Sequence, residues 1–203
     1  ISKKKFIYLI SPNKISNIFY RNLDLILKTG KVGLFQLRLK YYSSKKKIHI
    51  GKKIKEICKK NKVIFLVNDD PLLALKLNAD GCHLGQKDMK IKKARKIIGQ
   101  KIIGITCHNS FGLAKKGIQN GANYLAFGAF YSSKTKKIKY SADLKILQKV
   151  KKISKIPTVA IGGINSENYK NLLLNNANFL AISSYIWRNK KYNPLEAIKK
   201  LKW

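Results

Sequence analysis

The chain has 203 residues, of which 44 are Lys or Arg and 9 are Asp or Glu, so its formal net charge is +35. Hydrophobic residues make up 45% of it, a share typical of globular proteins that excludes a disordered basic tail. No apolar run approaches the ~20 residues of a membrane span, and Phe6–Ile10 is too short for a secretory signal. We therefore expect one cytoplasmic domain over residues 1–203 with no membrane partner.

The excess of basic residues suggests a nucleic-acid or other polyanion partner. Only four of the 44 are Arg, however, and the remaining 40 are Lys spread along the whole chain. Base recognition and bidentate hydrogen bonding to phosphate both favour Arg over Lys. A solvated basic surface is therefore the better interpretation, and we expect no specific nucleic-acid partner. A non-catalytic basic barrel that binds polyanions stays open as an alternative.

Short apolar runs alternate along the chain with segments of helical periodicity. The predicted strands are Phe6–Ser11, Leu34–Lys40, Val63–Val67, Gly81–Leu84, Ile102–Thr106, Tyr124–Gly128, Thr158–Ile161 and Phe179–Ser183. Eight strand–helix units in this length predict an α/β fold, a single (β/α)8 TIM barrel. A doubly wound open sheet is the alternative, although no glycine-rich loop follows the first strand.

A weak internal repeat supports one architecture throughout. The segments 78–85, 121–128 and 176–183 resemble one another, each with the order of a helix end, a tight turn and a buried strand. One unit used three times favours a single αβ design without a domain boundary. In this repeat Asp80 is predicted to be a turn residue.

Functional side chains of a barrel lie where its strands end. Along the second predicted strand Gln36, Arg38 and Lys40 share one face, which in a barrel with covered strands points into the mouth. Two cations that converge there need an anion to offset their desolvation, and phosphate is the natural choice.

Carboxylates follow the third and fourth predicted strands. Asp69 and Asp88 are expected on neighbouring loops, where two carboxylates can hold Mg²⁺ together with water and substrate phosphates. Helix capping is the alternative for Asp70 and Asp88, and Asp70-Pro71 resembles a cap followed by Pro at the first helical position. Together with the cations of the second strand, the pair predicts a magnesium–diphosphate site.

The later strands predict a second anion site. Thr106 offers a hydroxyl at the end of the fifth strand, and the loop after the sixth places hydroxyls beside Lys136. Gly162 and Gly163 follow the seventh strand, where backbone N–H groups can approach a phosphate, and the loops after strands seven and eight are the usual phosphate cradle of this barrel.

These residues resemble the thiamine-phosphate synthase family over nearly the whole chain. The family's Q-x-R-x-K, N-D and A-D-G-x-H-L-G-Q-x-D motifs match Gln36–Lys40, Asn68-Asp69 and Ala79–Asp88. Its fifth-strand, lid and A-I-G-G-I segments match Gly104–His108, Ser133–Lys136 and Ala160–Ile164, with Thr106 in place of the usual serine.

The resemblance implies a Mg²⁺-dependent transferase that joins 4-amino-2-methyl-5-hydroxymethylpyrimidine diphosphate to a thiazole phosphate, giving thiamine phosphate and diphosphate. It implies that Arg38, Lys40 and Lys136 stabilise the leaving group, and that Asp69 and Asp88 hold the metal. By position, the pyrimidine diphosphate would contact Gln36, Arg38, Lys40, Asn68, Thr106 and Lys136, and the thiazole phosphate would contact Ser133, Thr135, Gly163, Ser183 and Ser184.

A thiazole tautomerase-like relative on the same barrel is the nearest rival. That branch relies on a histidine immediately after the loop glycine, a position that Ala129 occupies here, and it need not keep the metal carboxylates. The synthase is therefore favoured. Barrels of this family often pair, so the resemblance is compatible with a homodimer.

Overall fold

The protein is described by a computed structural model that covers residues 5–132 and 140–202. Its strands are β1 (Ile7–Ile10), β2 (Val32–Leu37), β3 (Ile64–Asn68), β4 (Gly81–Leu84), β5 (Ile102–His108), β6 (Tyr124–Gly128), β7 (Thr158–Ile161) and β8 (Phe179–Ile182). They pair in parallel in chain order, and β8 pairs with β1 to close the barrel. The predicted (β/α)8 barrel is confirmed, and the doubly wound open sheet is wrong.

Helices cover the outside of the barrel. Within the described residues they are α1 (Asn17–Leu27), α2 (Ser44–Lys60), α3 (Pro71–Lys76), α4 (Ile91–Ile98), α5 (Phe111–Gln119), α6 (Leu144–Ile153), α7 (Tyr169–Leu174), α8 (Ser184–Trp187) and α9 (Pro194–Lys200). Local capping chemistry sets several boundaries. Ser110 accepts from Leu113 N–H before α5, and Asn193 forms a capping box with Glu196 before α9. None of these helices is long and apolar enough to cross a membrane.

Two apolar cores lie on the two sides of the sheet. The outer core joins the strands to the helices and includes Leu39, which alternates with Arg38 and Lys40. The inner core fills the barrel and includes Tyr8, Leu66 and Tyr124. Because side chains fill the interior, the open mouth at the C-terminal strand ends is the place for a ligand.

The predicted repeat has a shared hydrogen-bond pattern at its three turns. The side-chain oxygens of Asp80, Asn123 and Asn178 accept from backbone N–H groups near the start of neighbouring strands, those of Phe65, Ile103 and Thr158, at 2.7, 2.8 and 2.9 Å. Each turn residue also donates its own N–H to the backbone carbonyl of the residue whose N–H its side chain accepts from. Each of the three turns therefore fixes the strand that follows it to the preceding strand, and Asp80 serves the structure as the sequence predicts.

We expect Asp80→Ala to lower the free energy of unfolding by about 1–3 kcal/mol, because Phe65 N–H loses its acceptor. Asp80→Asn keeps that acceptor and places at Asp80 the residue type that the other two turns already have, so most of the stability should remain. Urea unfolding of both variants measures the difference. Equal losses in the two variants would contradict this assignment of the hydrogen bond.

Candidate active site

The two cations of the second strand lie beyond its last residue. β2 ends at Leu37, not at Lys40 as predicted, because its pairing with β3 stops at Leu37 and Val67. Arg38 and Lys40 therefore lie on the loop that leaves the sheet, where Arg38 is half-buried and Lys40 is exposed. Their place at the mouth still agrees with the prediction.

Residues after β1 hold Arg38 in place. The Arg38 N–H donates to Ser11 Oγ at 2.8 Å, and its Nη1 donates to Asn13 Oδ1 at 3.3 Å. Ser11 is 2% exposed and also donates its N–H to the Gln36 carbonyl. The sequence analysis missed Ser11 and Asn13. The only signal for them is their place at the end of the first predicted strand, where Ser11 is the last residue and Asn13 follows.

The predicted metal ligands lie side by side. Asp69 follows β3 with φ 64°, and its N–H donates to the His83 carbonyl at 2.7 Å. Burial raises the pKa of the Asp69 carboxyl to about 6, the neighbouring Asp88 carboxylate adds to this, and Lys40 and Arg38 oppose it. Lys40 Nζ lies 3.8 Å from Asp69 Oδ2. Two acids and two cations thus share one side of the mouth.

The capping alternative holds for one of the two aspartates that it concerned. Asp70 Oδ1 accepts from Leu73 N–H at 2.9 Å and Pro71 opens α3, as a cap requires. Asp88 does not cap a helix. Its Oδ2 accepts from Gly85 N–H at 2.7 Å and closes the loop after β4, while Lys90 precedes α4.

The donor set of this pair fits Mg²⁺. Oxygen is the ligand that Mg²⁺ prefers, and it usually takes one or two carboxylates and leaves the other positions to water and phosphates. Among residues 5–132 and 140–202, no three His, Cys, Asp or Glu side chains gather around a common point. A cation between Asp69 and Asp88 would relieve the repulsion between the two carboxylates. With these two protein ligands, its other coordination positions would be open to water and to a phosphorylated ligand.

A chain of polar side chains crosses the barrel beneath the mouth. Gln36 Nε2 donates to Tyr8 Oη at 2.6 Å, and Tyr8 Oη lies 2.7 Å from Tyr124 Oη. His83 Nδ1 lies 2.8 Å from Tyr124 Oη, and its Nε2 lies 2.8 Å from Thr106 Oγ1. Burial lowers the pKa of His83 to about 4, so the imidazole is neutral at pH 7. Two predicted ligand residues, Gln36 and Thr106, end this chain.

The sequence analysis did not find the three interior members of this chain. Tyr8 and Tyr124 are phenols on otherwise apolar buried strands, and this was the available signal. Asn68, another predicted ligand residue, ends β3 and pairs in register with His83. It is half-buried at the same rim.

Glycines follow β7 as predicted for a phosphate cradle. Gly162 and Gly163 have φ of 107° and 62°, and a Cβ on Gly163 would lie 2.6 Å from the Tyr131 carbonyl oxygen. Ser183 follows the neighbouring strand β8 and donates to the Ser11 carbonyl at 3.4 Å, while Ser184 is exposed at the start of α8. The predicted lid residues, Ser133, Thr135 and Lys136, lie outside the described residues.

Comparison with known proteins agrees with this geometry. The family model for thiamine monophosphate synthase matches residues 7–186. The chain belongs to the thiamine monophosphate synthase family. The predicted family, the transferase class and the place in thiamine biosynthesis are therefore confirmed.

Individual members of the family cover the chain almost completely. The thiamine-phosphate synthase of Pelagibacter ubique (strain HTCC1062) is 68% identical over 200 residues, which span 98% of this chain and 97% of that protein. The enzyme of Erythrobacter litoralis (strain HTCC2594) is 39% identical over 94% of this chain and 92% of its own length. The solved thiamine phosphate pyrophosphorylase of Pyrococcus furiosus superposes with a TM-score of 0.86 at 28% identity, covering 98% of this chain and 95% of that one.

Proposed function

We propose that this site joins 4-amino-2-methyl-5-hydroxymethylpyrimidine diphosphate to a thiazole phosphate, and releases diphosphate and thiamine phosphate. The observation that carries the proposal is the carboxylate pair Asp69 and Asp88, with Lys40 Nζ 3.8 Å from Asp69 and Arg38 close enough to affect its charge. A metal-bound diphosphate can use all four groups, because the acids can hold the metal and the cations can bind the phosphates.

The chain's own cations would act on the leaving group. Arg38 is held by Ser11 and Asn13, so its guanidinium is oriented before the substrate arrives. Lys40 is exposed and can follow the departing diphosphate, and Lys136 is proposed for the same role on the lid. Mg²⁺, when bound by Asp69 and Asp88, would supply further neutralisation of the phosphate charge.

The reaction would need little acid–base chemistry. The bond between the pyrimidine methylene carbon and the diphosphate oxygen breaks, and the thiazole nitrogen supplies the electron pair of the new carbon–nitrogen bond. No proton has to be transferred, which suits a site whose buried histidine, His83, is neutral. The residues would then contribute by holding the two substrates in line and stabilising the charge that develops on the leaving group.

The opposite side of the mouth would hold the thiazole phosphate. Gly163 lies after β7 and Ser183 and Ser184 lie after β8, and we propose that they bind the phosphate together with Ser133 and Thr135 of the lid. The cytoplasmic location and the homodimer stay predictions.

The direct test uses purified protein with both substrates and Mg²⁺, followed for thiamine phosphate and diphosphate. We expect both products in equal amounts, and none after removal of the metal with EDTA. Isomerisation of a carboxylated thiazole phosphate without pyrimidine would favour the tautomerase-like alternative. Steeply salt-dependent binding of generic RNA with no turnover would favour the basic barrel that binds polyanions.

A further inference from the structure

The polar chain across the barrel has a direction that the orientation of the Gln36 carboxamide sets. Tyr8 is 1% exposed, and within residues 5–132 and 140–202 its hydroxyl has two hydrogen-bond partners, Gln36 and Tyr124. Gln36 Nε2 donates to it. If Tyr124 also donated to it, the single hydrogen of Tyr8 would be buried without an acceptor, which costs free energy.

The opposite order gives the Tyr8, Tyr124 and His83 donors an acceptor each. Tyr8 donates to Tyr124, and Tyr124 donates to Nδ1 of His83. A neutral imidazole with an unprotonated Nδ1 carries its hydrogen on Nε2. This hydrogen is donated to Thr106 Oγ1 at 2.8 Å, which leaves the threonine hydrogen free to point elsewhere. Thr106 is half-buried at the rim of the barrel, so this free hydrogen can reach a ligand.

Neighbouring residues make room for this chain. A Cβ on Gly104 would lie 1.8 Å from the Tyr124 ring, so only glycine at this β5 position lets the ring lie across the barrel. The Tyr8 and Tyr124 rings meet edge to face, with centroids 5.7 Å apart. The His83 ring stacks on Tyr124 at 5.6 Å. Packing thus fixes the rings whose polar atoms form the chain.

We propose that Tyr8, Tyr124 and His83 are positioning residues for the pyrimidine diphosphate. Their one-way hydrogen-bond chain sets the polarity of the two residues at its ends: Gln36 presents its carboxamide oxygen as an acceptor, and Thr106 presents its hydroxyl as a donor. The ligand that fits has an N–H group at the Gln36 end and acceptor-only oxygens at the Thr106 end. An aminopyrimidine that carries a diphosphate has both, so the inference rests on the proposed function and deepens it.

The direction can be measured without substrate. The chain has three His residues, so ¹⁵N NMR of imidazole-labelled protein gives few signals, and the set that disappears in His83→Gln identifies His83. We expect Nε2 to be protonated and Nδ1 to be unprotonated. The reverse tautomer would overturn the proposal. This result stands even if the protein fails to make thiamine phosphate.

The positioning role is tested with Tyr124→Phe. The variant removes the donor to His83 Nδ1, so we expect its NMR signals to show both tautomers in exchange. The KM for the pyrimidine diphosphate should rise about tenfold, the loss of roughly one hydrogen bond. The KM for the thiazole phosphate should not change, because that ligand is proposed to bind elsewhere in the mouth.

Tyr169→Phe is the matched control. Tyr169 is 2% exposed, and its hydroxyl bonds to backbone atoms of Lys202 on the outer side of the barrel. Both substitutions remove a buried phenolic hydroxyl, so both should lower the melting temperature of the protein, by roughly 2–6 °C. A similar rise in KM in both variants would mean that Tyr124 acts through stability alone and would refute the positioning role.

A double mutant connects Tyr124 with the end of the chain. If Tyr124 acts through Thr106, the effects of Tyr124→Phe and Thr106→Val on the KM for the pyrimidine diphosphate should not multiply. The double variant should then resemble the more affected single variant. Multiplying effects would show that the two residues act independently and would contradict the chain.

Discussion

Asp69→Asn should lower the turnover number roughly 1,000-fold at saturating substrates, because the site loses a negative charge that holds the metal. The backbone should not change. Asp69 has φ 64°, a conformation that Asn adopts readily, and the amide keeps the size of the carboxylate. Burial and the neighbouring Asp88 already disfavour the charge on Asp69, so its removal should not destabilise the fold.

The adjacent residue supplies the control for this variant. Asp70 caps α3 through its Oδ1, and Asn is as good a cap as Asp. Asp70→Asn removes the same charge from the next position in the chain and should keep wild-type turnover. Asp88→Asn should behave like Asp69→Asn, since its amide oxygen can still accept from Gly85 N–H while the charge is lost. Full activity of Asp69→Asn would exclude it as a metal ligand.

Ligand-induced stabilisation gives a second readout that does not depend on turnover. Mg²⁺ with diphosphate should raise the melting temperature of the wild type and of Asp70→Asn, because both bind the ligand in the folded state. The same addition should have little effect on Asp69→Asn. A normal shift in Asp69→Asn with lost turnover would place the residue in the chemical step and not in metal binding.

The order of strands and the place of the ligand residues follow from local sequence. Eight apolar runs with capped helices between them leave few parallel arrangements, and the barrel brings all strand ends to one rim. Asp69 and Asp88 could therefore be paired from the sequence, because consecutive strands are neighbours. The end of β2 was wrong because it depends on where β3 stops pairing, and the apolar pattern of Leu37 and Leu39 continues past that point.

The interior of the barrel could not be predicted in the same way. Tyr8 and Tyr124 are 116 residues apart, and their contact depends on the curvature of the closed sheet and on the space that Gly104 leaves. A phenol on a buried strand indicates that it has a partner but not which one. The role of His83 could not be predicted either. The family motif that contains His83 indicates Asp88 as a metal ligand, and it does not indicate which side chain the imidazole contacts inside the barrel.

A methyl group at the phosphate cradle should weaken the binding of the thiazole phosphate selectively. In Gly163→Ala the new Cβ would lie 2.6 Å from the Tyr131 carbonyl oxygen and 2.7 Å from that of Ser132. Both are backbone atoms, so the start of the loop after β6 must move away from the cradle. We expect the KM for the thiazole phosphate to rise roughly 100-fold, as for the loss of two or more hydrogen bonds, with a much smaller change for the pyrimidine diphosphate.

Gly121→Ala separates this effect from backbone strain. Gly121 has φ 81°, comparable to the 62° of Gly163, but no atom lies within 4 Å of its added Cβ. Both variants should lose about 1–2 kcal/mol of stability from the left-handed conformation, and Gly163→Ala should lose more through its overlaps. Only Gly163→Ala should change the KM for the thiazole phosphate. If both variants, or neither, raise it, Gly163 does not form the cradle, and the phosphate must bind through the serines after β8 and the lid.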